Sequence, residues 1–139
     1  MSLFNIFDVS GSGMSAQNVR LNTTASNIAN ANSVSSSAGE TYRARQPVFE
    51  AQLNEFSAQQ QAASGVTVKG IVESDKPLIR EFSPNHPMAD EDGYIYKPNV
   101  NVVEEMANMI SASRSYQANV EVADAAKNLA KQTLRLGKG

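Results

Sequence analysis

All five prolines of the chain, Pro47, Pro77, Pro84, Pro87 and Pro98, fall between residues 47 and 98. Proline removes a backbone donor and clashes with the preceding turn, costing about 3 kcal/mol inside a helix. Both ends are therefore open to long uninterrupted helices, while the centre is confined to strands and turns. Charge divides the chain in the same way. Residues 1–39 carry only Asp8 and Arg20, residues 40–98 nine acidic and six basic side chains, and residues 99–139 four acidic and five basic. Three units are expected: an N-terminal helical arm (1–39), a central β-rich module (40–98), and a long C-terminal helix (99–139) that pairs with the N-terminal arm.

The C-terminal arm has the stronger pattern. Asn99–Leu136 contains no Pro or Gly, and Gly137 supplies a stop. Steps of four and three from Val102 reach Met106, Met109, Ser113, Tyr116, Val120, Ala123, Lys127, Ala130 and Leu134. Eight of these ten positions are apolar or aromatic, a coiled-coil-like seam held over several heptads. Glu104 and Glu105 at the start and Lys127, Lys131 and Arg135 near the end complement the helix dipole. Such a helix is about 55 Å long, against roughly 37 Å across for a compact globule of this size. It should protrude.

The N-terminal arm is weaker. Phe7, Met14, Leu21 and Ile28 recur every seven residues, but the companion positions are Ser, Gly, Gln, Asn, Thr and Ala. One large apolar group per heptad does not hold an isolated helix in water. Two readings fit: a flexible polar leader, or a helix that forms only among other helices. The second is favoured, because the segment is nearly uncharged, unlike an ordinary solvated face.

Between them lie short β-like runs at 42–49, 65–72, 78–82 and 94–96. Pro47 demotes the first towards an edge, and Val66, Val68 and Val72 are expected on one face of the second. The Gln- and Ala-rich stretch 56–64 reads as a loop or short helix. Three or four strands in about 55 residues are near the limit of independent stability and should lean on the helices or on neighbouring chains. The fold class is α+β: elongated, its terminal helices paired as a coiled-coil-like helical domain, with a small central β-rich module.

Composition excludes much chemistry. The formal charge of −2 provides no field for nucleic acid or anionic membrane. No Cys is present, which removes disulfides, thiolate metal sites and thiol nucleophiles. No apolar run is long enough for direct membrane insertion, and MSLFNIFDVS lacks the basic and apolar regions of a cleavable signal. The single histidine, His86, precedes Asp90, Glu91 and Asp92. Consecutive acids without a terminal bidentate Glu do not make a calcium loop, whereas they suit a solvated hairpin turn before Gly93. Catalytic, metal and cofactor sites are expected to be absent. Arg114, beside Tyr116, is either solvated or paired with a carboxylate of another chain, and the second is favoured.

Two segments carry a resemblance. Ala25-Ser26-Asn27-Ile28-Ala29-Asn30-Ala31-Asn32-Ser33 is similar to the "ANNLANVNT"-type motif of flagellar axial proteins. Ser113-Arg114-Ser115-Tyr116-Gln117-Ala118-Asn119 is similar to their "RAYQAN" motif, with Ser115 where Ala is usual. With the opening Phe4–Asp8 and the block Gly93–Met106, the chain resembles the bacterial flagellar basal-body rod proteins, those of the proximal rod most of all. The resemblance implies a periplasmic subunit that assembles helically into the tube transmitting torque and enclosing the export channel, with folding coupled to assembly. It implies as partners other copies of itself, other flagellar rod proteins, the membrane-ring junction, and the type III export apparatus that delivers it without a cleaved signal. Assembly contacts are expected at Phe7, Met14, Leu21, Asn27, Ile28 and Asn30, and at Val102, Met106, Met109, Arg114, Tyr116, Val120 and Leu134. The asparagines are expected to gain hydrogen-bond partners on other chains. A small helical adaptor or chaperone, binding through the C-terminal seam, is the alternative.

Overall fold

The computed structural model describes residues 3–53 and 63–137. Two long helices, α1 (Leu3–Asn30) and α2 (Val102–Leu136), bracket four strands, β1 (Arg45–Leu53), β2 (Ala63–Glu73), β3 (Ile79–Phe82) and β4 (Tyr94–Lys97). The 35 residues of α2 span about 52 Å. The molecule is α+β and elongated.

The start of α2 is defined by asparagines. Asn101 has extended backbone, and its side-chain oxygen accepts from the N–H groups of Val103 (3.1 Å) and Glu104 (3.4 Å), satisfying donors that an N-terminus leaves open. Asn99 is committed elsewhere: its Oδ1 accepts from Ala44 N at 2.8 Å and its Nδ2 donates to Lys76 O at 2.7 Å. The helix therefore begins at Val102 rather than directly after Pro98. At the other end the Gly137 N–H donates to Thr133 O.

The helices run antiparallel. Arg20 donates to Asn108 Oδ1 at 3.0 Å, Asn27 to Glu105 at 3.1 Å, and Gly13 faces Asn119. The facing surfaces are small and polar. Ser10, Ala16, Thr23, Thr24 and Asn27 are buried on α1, and Glu105, Ala112 and Ala126 on α2. Small residues let the backbones approach closely; a Cβ on Gly13 would lie 2.9 Å from the Asn119 amide. The buried row of α2 sits about a quarter-turn from the seam expected at Val102, Met106 and Val120. Pattern matching follows large apolar residues, whereas this interface is built from small ones.

The strands form two separate antiparallel pairs, β1 with β2 and β3 with β4, not one three- or four-stranded sheet. A shift in register between Val48 and Phe49 pairs Pro47 with Ile71, Phe49 with Val68 and Ala51 with Val66. Alternate β1 residues thus align Val66 and Val68 with Ile71, and Val72 turns to the other face, contrary to expectation. A β-bulge displaces all side chains beyond it, which simple alternation does not anticipate. Ala63 and Ser64 belong to β2 rather than to the loop or short helix expected over 56–64, and the rest of that stretch, 56–62, lies outside the described residues. Ser35 exchanges backbone hydrogen bonds of 3.1 and 3.0 Å with Tyr96, tying the segment after α1 to the free edge of β4. Beneath it Ile95 is 2 % exposed, the one large aliphatic side chain among the buried hydrophobic residues described.

Candidate functional site

Asn27 stands where α1, α2 and the β1–β2 hairpin meet. It is 1 % exposed, and all of its capacity is used. Nδ2 donates to Arg45 O at 2.8 Å and to Glu105 Oε2 at 3.1 Å, while Oδ1 accepts from Arg45 N at 2.9 Å and from the Tyr42 hydroxyl at 2.8 Å. The side-chain amide pairs with both backbone groups of Arg45 as a neighbouring strand would. It anchors the root of β1 to the helix pair. An aspartate could not supply the two donors, nor a smaller residue the span.

This is a correction to the reading of Asn27 as a contact between chains: its partners lie within its own chain. Asn30 also bonds internally, donating to Ser26 O at 2.8 Å, while Asn32 is exposed. Sequence reasoning missed Glu105 and Tyr42, the residues that complete the junction. An acidic residue in the first turn of a helix reads as a dipole partner, and no local pattern marks one that is buried.

The remaining expected positions divide by exposure. Met14, Leu21, Ile28, Met109 and Val120 are half-buried; Phe7, Val102, Met106, Arg114, Tyr116 and Leu134 are exposed. Met106 is 55 % exposed and is joined by Val103 and Ile110, and further along α2 by Val122, Leu129 and Leu136. Arg114 makes no ion pair among the described residues. The sequence placed apolar groups along this helix; the structure leaves most of the large ones facing out.

The turn residues behave as turn residues. His86 Nδ1 accepts from Met88 N at 3.0 Å, and Asp90 Oδ1 accepts from Asp92 N (3.1 Å) and Tyr94 N (2.7 Å). Gly93 closes the turn at φ +81°, where a Cβ would meet Phe82 and Pro84. Among the described residues no cluster of three or more His, Cys, Asp or Glu could hold a metal ion. A cleft of about 710 Å³ lies between the end of α1 and the hairpin root. Three of its four charged groups are engaged: Arg45 pairs with Glu73 at 3.3 Å, and Arg43 donates to the carbonyls of Ser74 and Lys76, while Glu40 is exposed to solvent. It offers no nucleophile with an adjacent base.

Known proteins resemble the chain along its whole length. The family described as "Flagella basal body rod protein" matches residues 7–35, and "Flagellar basal body rod FlgEFG protein C-terminal" matches residues 91–136. The flagellar basal-body rod protein FlgC of Salmonella typhimurium is 49% identical over 138 residues, covering 99% of this chain and 100% of that protein. The FlgC proteins of Yersinia enterocolitica and Borreliella burgdorferi are 51% and 33% identical, with 99% and 100% of this chain covered and 100% of each relative.

Proposed function

The chain belongs to the flagellar basal-body rod protein family, and from that premise we propose that it is a structural subunit of the proximal rod, built into a helical tube with other rod subunits. It catalyses no reaction. The tube would transmit torque across the periplasm and enclose the export channel, and the chain would reach it through the flagellar type III apparatus without a cleaved signal. Its neighbours would be further copies, other rod proteins and the membrane-ring junction.

One structural observation carries the reading. The helix pair buries three alanines, a serine, two threonines, an asparagine and a glutamate, and leaves Met106, Ile110, Tyr116, Val122, Leu129 and Leu134 exposed. A soluble helix ordinarily turns its large apolar residues to its own core. These residues lie on several sides of α2 rather than in one patch, as suits a subunit with neighbours on more than one face, and coupled ordering on assembly accounts for so small an interior. A free-standing adaptor is not favoured by relatives matched from end to end.

The test is the location of the chain. Basal bodies purified from its own cells should contain it, and deletion of its gene should abolish motility with hook and filament absent. Purified basal bodies lacking the chain would sink the proposal.

A further inference from the structure

The β1–β2 hairpin is fixed to α1 at a second point, far from Asn27. Ser12 donates its hydroxyl to Val9 O at 2.9 Å, and Ser12 Oγ accepts from Val66 N at 3.1 Å. The neighbouring Gly65 has φ +151°, and a Cβ there would lie 2.6 Å from Ser12 Oγ and 3.2 Å from Ser12 Cβ. The glycine is required twice, by its backbone conformation and by its contact. Ser12 and Asn27 are fifteen residues apart, about 22 Å along a helix. Arg45 and Gln52, the partner of Gly65, are seven residues apart, about 23 Å along a strand. The two spacings match, so the hairpin lies along α1 and is held at both ends.

We infer that Ser12 and Gly65 are positioning residues that set where the hairpin lies on the helix pair, and so which hairpin surface one subunit presents to the next copy. This rests on the rod reading above. The surface includes Val48 and Val72, which share one face of the hairpin and are exposed in the single chain. Of the side-chain hydrogen bonds described between α1 and the hairpin, those of Asn27 fix its root and that of Ser12 its far part, so Ser12 sets the angle at which the hairpin crosses the helix pair.

Ser12→Ala separates this role from a merely stabilising one, because Ala is the better helix former while lacking the hydroxyl. The chain carrying Ser12→Ala should keep its helicity and export level. In isolated basal bodies, hydrogen exchange over residues 65–67 should rise about tenfold or more, while exchange near Arg45 stays unchanged. Incorporation should fall about twofold or more, and Gly65→Ala should lower it further. Unchanged exchange over 65–67 would overturn the pin. Faster exchange with full incorporation would overturn its part in assembly. Wild-type chain missing from basal bodies would overturn the rod reading itself, and with it the assembly role, a result distinct from both.

Discussion

Asn27 Nδ2 lies 3.1 Å from Glu105 Oε2, a buried amide-to-carboxylate hydrogen bond joining the last turns of α1 to the first turn of α2. Glu105 is only 5 % exposed. Hydrogen bonds to a charged group contribute about 1.5–3 kcal/mol, and an orphaned buried partner costs more than the mean bond is worth.

Asn27→Asp should therefore abolish motility. It sets a second carboxylate against Glu105 and faces the Arg45 carbonyl with an acceptor. Adding Glu105→Gln returns one donor to the junction and should restore swimming in part. Full motility of the Asn27→Asp single variant, at normal export, would show that the junction is dispensable.

The junction also marks where sequence reading stopped. The terminal helices and the β centre followed from the placement of proline, and the stop at Gly137 from local chemistry; the cap at Asn101 did not, because Asn99 and Asn101 are equally eligible and only their tertiary partners tell them apart. Asn27 stood out through a motif, yet its direction did not, since an asparagine on a helix reads equally as inward or outward. The hairpin register escaped because a bulge leaves no local signature in Val66–Ile71. The α2 seam was legible as a row of apolar residues, but the close approach at Gly13, Ala112 and Ala126 is set by what is missing from those side chains.

Exposure of Met106 gives the seam a specific test. Met106→Asp should leave the isolated chain unaffected, because the side chain is already in water, and should stop assembly by placing an unpaired charge in the contact. Val120→Asp, half-buried where α2 meets α1, should also stop assembly, where both helices are formed. Lys127→Ala should be mild, since an exposed lysine contributes mainly its stem. Swimming equal to wild type for Met106→Asp, at normal export, would remove Met106 from the assembly surface.

The β3–β4 turn should tolerate loss of its chemistry and not of its geometry. His86→Ala removes one acceptor at an accessible N–H, and Asp90→Asn keeps the Oδ1 acceptor used by Asp92 N and Tyr94 N. Both variants should swim normally. Asp90→Ala releases both N–H groups and should destabilise the turn by about 1–2 kcal/mol, read as earlier thermal loss of the near-ultraviolet signal of Tyr94 and Tyr96. A motility defect in His86→Ala with normal incorporation would point to chemistry at this turn.

The N-terminal arm is the strongest test of folding coupled to assembly. Within the chain α1 buries Ser10, Ala16, Thr23, Thr24 and Asn27, which carry little apolar area, while Phe4 is 79 % exposed. Gly11 and Gly13 lie inside the helix, each less favourable than Ala by about 0.8–1 kcal/mol. No acidic residue occupies its first turn and no basic residue its last, so the dipole adds nothing at either end. Against this stands the cost of ordering the backbone, about 1–2 kcal/mol for each residue. Neighbouring chains that cover Phe4, Phe7 and Val9 would supply the burial that a single chain lacks. In a verified monomer the amides of residues 3–35 should exchange almost at once, and in isolated basal bodies they should be strongly protected. The Ser12 and Asn27 contacts with the hairpin then belong to the assembled state, and Val66 should gain protection in step with the arm. Slow exchange throughout residues 3–35 in the monomer would mean that α1 folds unaided, and coupled assembly would have to be abandoned.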